Sequence, residues 1–471
     1  MSTSSPEVVV AALIGRARAA QRVYETWSQE RVDEAVTAAA WAIVEPSRNR
    51  ALAELAVRDT GLGDVADKIA KNHRKTLGLM RDLNGAKSVG VISEDHERGL
   101  VEIARPVGVV AAITPSTNPG ATPANNILNA LKGRNAIILA PSPKGQSTLT
   151  LLLQYAHAEL DRVGAPRDLV LQLPAPVSRD QTFELMRQAD LVVATGSQTN
   201  VKAAYSSGTP AVGVGPGNVA VIVDETADVI DAAAKIARSK TFDHATSCSS
   251  ENSVIAHAQI ADSLLAALAG QGGGLLTAAE ARQLEASMFR EGRLAPEFIA
   301  QAAGAIAKRA GLDRPALLCA RFLIVEETGV GSGHPYSGEK LSPVLAFYRA
   351  ASFDAAAALA DRILRYQGAG HSIGLYSQSR ERALQLGLTL PVCRVIINQA
   401  HCFATGGSFD NALPFSLSMG CGTWGGNSIS DNLNYRHFLN ITRVVHPLSP
   451  ERVREPTVEE LFGEYRRKHG A

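Results

Sequence analysis

The sequence predicts an α/β protein made of two parallel-sheet units in tandem, and three observations carry that expectation. The chain has 471 residues, 45% hydrophobic and 20% charged, enough for more than one core. From about residue 106, short apolar runs alternate with amphipathic helical segments, the pattern of βαβ units around a parallel sheet. A second set of such runs follows residue 242.

The elements follow in order. In ERVDEAVTAAAWAIV (residues 30–44), Val32, Val36, Ala39, Ala40 and Ile43 share one helical face, and Ala-rich amphipathic segments continue to about residue 85. Gly99–Ile103 and Pro106–Ile113 are β-rich runs. Then come NAIILAPS, a helix over Gln146–Val163, DLVLQLP, a helix over Asp180–Gln188, and ADLVVATG. The strand Asn218–Glu225 and the helix ADVIDAAAKIARSKTF extend this first unit to residue 242. The second unit comprises SVIAHA, a long helical region containing a flexible GQGGG (Gly270–Gly274), RFLIVEE, VLAFYRA, HSIGLYS and CRVIINQ. No Pro- or Ser-rich linker separates the units, so a packed hinge is expected near residue 240. The divisions expected are therefore residues 1–240, 241–425 and 426–471, the last ending in an alternating segment, ITRVV, suited to pairing across an oligomer interface.

Composition excludes several functions. Net charge is +1, from 47 Lys and Arg against 46 Asp and Glu, with no basic block, so a nucleic-acid partner is not expected. The apolar run Val8–Ile14 has Glu7 ahead of it and Arg16 and Arg18 behind, the reverse of a secretory signal, and no run approaches the ~18 residues that span a bilayer. The expectation is a cytoplasmic protein without a membrane partner. Cys248, Cys319, Cys393, Cys402 and Cys421 are scattered without a C-x-x-C pair, so neither a disulfide framework nor a metal site is indicated.

Cys248 lies in TFDHATSCSSENS (Thr241–Ser253), between a helix and a strand at the expected junction, where clefts form. It is either a thiolate nucleophile or buried filler. Asn118, in PVGVVAAITPSTNPG, can donate its amide to an oxyanion or serve as an Asx-turn residue before Pro119. In VVATGSQTNVKAAYSSG a strand passes through Thr195, Gly196 and Ser197 into a helix, a place for a pyrophosphate, although not a G-x-G-x-x-G fingerprint. GVGVGPGNVAV, with Gly213, Gly215 and Gly217, precedes a strand and reads as a tight loop lining a cleft. Cys319 and Cys393 read as core, and His244, His371 and His401 as surface or packing residues without metal-ligand spacing, with a minor polar role open for His244.

These motifs, in this order and ending in GCGTWGGNSIS, resemble the aldehyde dehydrogenase superfamily, more narrowly its CoA-acylating branch, from about residue 30 to 445. The resemblance implies a Rossmann-type cofactor domain, an α/β catalytic domain carrying the cysteine, and a small oligomerisation element, assembled as a homodimer or homotetramer. It implies NADP or NAD as cofactor, with a lean to NADP, and coenzyme A as co-substrate. Cys248 matches the nucleophile and Asn118 the oxyanion donor. Glu339, in SGEKLSPVLAFYR, matches the glutamate that binds the nicotinamide ribose, although Leu341 and Ser342 replace the usual Phe-Gly. Thr195, Gly196 and Ser197 match the turn facing the pyrophosphate, and Thr114 and Gly215 join the cofactor set. The usual K-P-S-E motif is Ala140-Pro141-Ser142-Pro143 here, leaving Ser142, Lys144 and Arg167 as neighbours of a ribose or 2′-phosphate. Hydrolytic members carry a glutamate where Gly213 stands. Without that base, a thiol such as CoA is expected to take the acyl group in place of water.

The loop Asn398–Ser428, with HCFATGGSFDN and LPFSLSMGCGTWGGNS, is polar and resembles that of the acylating sulfoacetaldehyde dehydrogenases. That resemblance points to Thr405, Gly406, Gly407, Ser408 and Asn411 as donors to a sulfonate, with His401 or Arg105 supplying charge. The alternatives are another short aldehyde such as acetaldehyde or succinate semialdehyde, a thiol hydrolase or acyltransferase without a redox step, and a non-catalytic assembly protein.

Overall fold

The computed structural model describes residues 5–470. Four helices lead: α1 (Pro6–Tyr24), α2 (Gln29–Val44), α3 (Pro46–Thr60) and α4 (Val65–Leu83). Their starts are written in the sequence: Ser28 accepts from the Arg31 N–H to cap α2, and Asp64 accepts from the Asp67 N–H to cap α4. Strands β1 (Gly90–Asp95) and β2 (Leu100–Pro106) form an antiparallel pair.

The first parallel unit comprises β3 (Val109–Thr114), α5 (Ala121–Lys132), β4 (Ala136–Pro141), α6 (Gln146–Arg162), β5 (Val170–Gln172), α7 (Arg179–Gln188), β6 (Leu191–Thr195), α8 (Gln198–Tyr205) and β7 (Ala211–Val214). Its strand order is β5-β4-β3-β6-β7, all parallel. β3 and β4 are buried along their whole length because helices cover both faces, which is why they read as unbroken apolar runs.

The second unit begins with β8 (Val219–Val223), α9 (Val229–Thr241), β9 (Glu251–His257), α10 (Ala261–Gly270) and β10 (Gly273–Leu275). A hairpin of β11 (Phe289–Arg290) and β12 (Arg293–Leu294) leads to β13 (Phe322–Glu326), β14 (Val344–Ala350), β15 (Ile373–Tyr376) and β16 (Val395–Ile397). The seven-stranded sheet has the order β10-β13-β14-β9-β8-β15-β16. In β8, Ala220 and Ile222 feed one core while Val219, Val221 and Val223 feed the other, so the strand is apolar at every position.

Two expectations change here. β8 and α9, which sequence adjacency groups with the first unit, belong to the second sheet: α9 is the crossover between the parallel neighbours β8 and β9, and the chain changes sheets at residues 215–218 rather than near 240. GQGGG is an ordered helix end and strand start, with Gly273 paired to Phe322. β17 (Leu439–Val445) pairs antiparallel with β2 of its own chain, completing a β1-β2-β17 sheet whose β17 edge has no further strand among the described residues.

Candidate active site

A cavity of about 660 Å³ opens where β3, β6 and β7 end, and residues from the second unit close it. That is where open parallel sheets bind ligands. Cys248, Asn118 and Glu339 line it together, as do Thr114, Ser142 and Lys144. Thr195, Gly196, Ser197 and Gly215, from the cofactor set expected of the sequence, also line this cavity.

The segment before Cys248 is held in an uncommon conformation. Asp243, His244 and Ala245 have φ of 50°, 49° and 58°, the left-handed region that non-glycine residues seldom occupy. Asp243 fixes this turn. Its buried carboxylate accepts from Lys71 Nζ at 2.5 Å, Lys68 Nζ at 3.1 Å and Thr246 Oγ1 at 2.7 Å, and its own N–H donates to Asp67 at 2.7 Å. Burial works against its charge, but Lys71 and Lys68 outweigh it and hold the carboxyl below the usual carboxylate range. Gly217, in the loop where the chain changes sheets, underlies the cysteine: a Cβ there would stand 1.9 Å from the Cys248 carbonyl oxygen.

Burial, reinforced by Glu339 and Cys421, pushes the Cys248 thiol up to about 12. A thiol so placed needs a proton acceptor to react near neutrality. His371 Nε2 lies 3.5 Å from Cys248 Sγ, and its Nδ1 lies 2.7 Å from Ser372 Oγ. Burial and the nearby Arg394 guanidinium keep this imidazole neutral, well below the ordinary histidine value. The sequence reading gave His371 to packing; its setting in GAGHS, between a helix and β15, with Gly368 and Gly370 at positive φ, was the available signal.

Asn118 is oriented by Lys71, whose Nζ donates to Oδ1 at 2.9 Å, leaving Nδ2 with only a 3.5 Å contact to Thr117 Oγ1. The amide is thus pre-turned as a donor. Glu339 is the one carboxylate among the lining residues; burial raises it to about 8, and its Oε1 has no partner.

The residues present fit a dinucleotide. Ser142 Oγ is buried and unpartnered, Lys144 is exposed at the rim, and Ser197 caps α8, whose first turn faces the cavity through Gln198 and Asn200. Gly196 has φ +141°, a backbone only glycine adopts easily, where the chain turns past Pro115. Arg167 does not join them, being held on the surface by Asp161 at 2.7 Å. Gly213 lies within β7, and a Cβ there would meet Val201 at 2.7 Å and Tyr205 at 2.9 Å, so that position is filled by α8 and offers no base.

The polar loop after β16 is placed differently from the expectation. Thr405 Oγ1 lies 2.9 Å from both the carbonyl and Nδ1 of His401; Ser408 Oγ accepts from Arg74 at 2.6 Å; Asn411 donates to Gln399 and to the Ala404 carbonyl. None of these four, nor Gly407, lines the cavity. Gly406 does line it, as do Ser416 and Met419. Arg105 is on β2, paired to Glu25 at 3.0 Å on the surface. Cys319 is exposed and Cys393 half-buried rather than core, whereas Cys402 is buried in the cavity wall. Lys75, a buried cation of α4, lines the cavity and was not singled out from the sequence.

The site is that of a cysteine-dependent, dinucleotide-binding α/β enzyme. The profile of the aldehyde dehydrogenase family matches residues 3–275, and the chain belongs to that family. A sulfoacetaldehyde dehydrogenase (acylating) of Cupriavidus necator is 63% identical over 97% of this chain and 92% of its own length. A succinate-semialdehyde dehydrogenase (acetylating) of Clostridium kluyveri is 39% identical, covering 98% of this chain and 100% of that protein. The crystal structure of an acetylating aldehyde dehydrogenase from Geobacillus thermoglucosidasius superposes with a TM-score of 0.91 at 36% identity, over 96% of this chain and 98% of that one.

Proposed function

We propose that this enzyme interconverts sulfoacetaldehyde and CoA with sulfoacetyl-CoA, using NADP or NAD, through a thioester on Cys248. The observation that carries the reading is Cys248 beside a neutral imidazole, in a cavity whose one lining carboxylate is held largely protonated at neutral pH. The 63% identity to the Cupriavidus necator enzyme supports the aldehyde.

As the Cys248 sulfur attacks the aldehyde carbon, its proton passes to His371 Nε2. The Asn118 amide and the Cys248 N–H receive the oxyanion of the thiohemiacetal. A nicotinamide dinucleotide, when bound, supplies the hydride acceptor. Collapse of the oxyanion, with loss of hydride to that acceptor, leaves a thioester on Cys248, and His371 gives up its proton to solvent; the CoA thiol then attacks the thioester, passing its proton to His371, which returns it to the departing Cys248 sulfur. The sum is aldehyde, CoA thiol and oxidised cofactor giving acyl-CoA, reduced cofactor and a proton. No side chain at Gly213 activates water, and a thiol is much the stronger nucleophile toward a thioester.

Ser142 and Lys144 are assigned to the adenosine ribose and its substituent, and the exposed Lys144 ammonium favours NADP. Glu339 is assigned to the nicotinamide ribose, and Thr195, Gly196 and Ser197 to the pyrophosphate. The open edge of β17, with Val444 and Val445 exposed, suits assembly of two or four copies. Among the described residues no helix is long and apolar enough to cross a membrane, and the five free cysteines suit a reducing cytoplasm.

The test is turnover of sulfoacetaldehyde, acetaldehyde and succinate semialdehyde with CoA by the wild type and by Cys248→Ala. Preference for sulfoacetaldehyde, lost in the variant while folding and cofactor binding persist, supports the reading. Preference for another aldehyde overturns the substrate, and turnover by the variant overturns the nucleophile.

A further inference from the structure

Helix α4 directs four basic side chains inward, and two of them share a carboxylate. Lys68 and Lys71 share the Asp243 carboxylate, while Arg74 donates to Ser408 Oγ and the Phe403 carbonyl. Lys75 is different. It is buried and lines the same cavity as Cys248, yet no carboxylate pairs with it among the described residues.

Its Nζ donates to the carbonyls of Gly406 at 2.6 Å and Ser416 at 3.2 Å, which uses two of an ammonium's three donors. The Phe415 ring lies 5.5 Å away. Gly406 makes room for this ammonium: a Cβ at that position would stand 2.7 Å from Nζ. Burial, with the neighbouring Arg74 and Lys71 charges, pulls Lys75 down to about 7, so two carbonyls compensate its ammonium form only in part. Thr122, in the first turn of α5, lines the same cavity; its N–H donates to the Asn118 carbonyl at 3.2 Å, so its hydroxyl is the group it offers.

We propose that Lys75 Nζ, with the Thr122 hydroxyl, binds the terminal sulfonate of the aldehyde whose carbonyl Cys248 attacks. The assignment rests on the sulfonate-aldehyde reading above, and it replaces Arg105 and His401 as the source of charge. A sulfonate is ionised at any working pH and supplies the counter-ion that the fold omits. An uncharged aldehyde of the same length leaves the ammonium unpaired. The site thereby selects the anionic substrate by electrostatics instead of shape.

The experiment compares sulfoacetaldehyde with propanal, each with saturating CoA and cofactor, in the wild type and in Lys75→Met and Lys75→Gln. The ratio of kcat/KM for sulfoacetaldehyde to that for propanal is expected to fall roughly 30- to 100-fold in the variants, through KM, as loss of one charge-assisted contact dictates. If Lys75 only holds the Gly406 and Ser416 carbonyls, both aldehydes suffer alike and the ratio stays constant, which overturns the proposal. A second measurement stands on the wild type alone: ethanesulfonate should inhibit propanal oxidation competitively, and the uncharged ethyl methyl sulfone should not. Equal inhibition by both, or by neither, overturns the anion site. Ethanesulfonate inhibition without turnover of sulfoacetaldehyde would retain the anion site while rejecting the substrate reading, so the two failures are separable.

Discussion

Replacing His371 by alanine removes the one base that, among the described residues, contacts the Cys248 sulfur, and the structure sets the size of the loss. With the Cys248 thiol near 12, only roughly one molecule in 10⁴ carries a thiolate at about pH 8. A neutral imidazole 3.5 Å from the sulfur lets the proton leave as the carbon–sulfur bond forms, so the reaction does not wait on that rare species. Positioned general bases contribute on the order of 10²- to 10⁴-fold. The Cys248 N–H and Asn118 remain in the variant, so His371→Ala should lower kcat/KM by roughly 10²- to 10³-fold, or about 3–4 kcal/mol of barrier. The assay is cofactor reduction at saturating CoA, with melting temperature and dinucleotide binding measured on the same preparation, because His371 is buried and its loss opens a cavity. Iodoacetamide labelling adds a direct reading: the variant's Cys248 should alkylate only as pH approaches the thiol's own value. A variant that folds, binds cofactor and keeps kcat/KM within about threefold of wild type would refute the proton-acceptor role.

Three further outcomes follow from the same geometry. Gly217→Ala places a methyl against the Cys248 carbonyl, so turnover should fall by roughly 10²-fold through displacement of the nucleophile; normal turnover would mean that the loop yields freely. Asp243→Asn leaves Lys68 and Lys71 without their counter-ion and should cost about 3–5 kcal/mol at neutral pH. The folded Asp243 carboxyl lies below its unfolded value, so its stabilisation is present above the ordinary carboxylate range and is lost as pH falls through the folded value. The melting-temperature gap between wild type and variant should therefore narrow below about pH 4, and a constant gap would contradict this. Glu339→Gln should speed alkylation of Cys248 several-fold at about pH 9, where the wild-type carboxylate is ionised, and leave it nearly unchanged at about pH 6, where the carboxyl is protonated; equal rates at both would exclude the Glu339 charge as a cause of the raised thiol.

Much of the site was legible because its parts are contiguous motifs at strand ends. Asn118 follows β3, Thr195 ends β6 with Gly196 and Ser197 after it, and Cys248 precedes β9, so locating the strands located the chemistry. His371 and Lys75 were not legible, since His371 reaches the Cys248 sulfur, and Lys75 the cavity, only through packing between elements distant in sequence. A lone histidine in a Gly-rich turn, or a lysine in a helix with other basic residues, looks the same whether it faces solvent or a nucleophile. The polar loop misled for a related reason: Thr405, Ser408 and Asn411 are turn-forming side chains as well as donors, and here Thr405 and Asn411 bond within their own loop while Ser408 accepts from Arg74. β8 was placed in the wrong unit because a βαβ rhythm gives the type of each element and says nothing about which sheet receives it.

The most direct test of the account is cofactor reduction with sulfoacetaldehyde in the presence and absence of CoA. The account predicts steady turnover to an acyl-CoA only when CoA is present, and without it a burst of reduced cofactor no larger than the number of Cys248 sites. Equal steady rates without CoA, with the free acid as product, would mean that water is activated in this cavity and would contradict the thioester transfer.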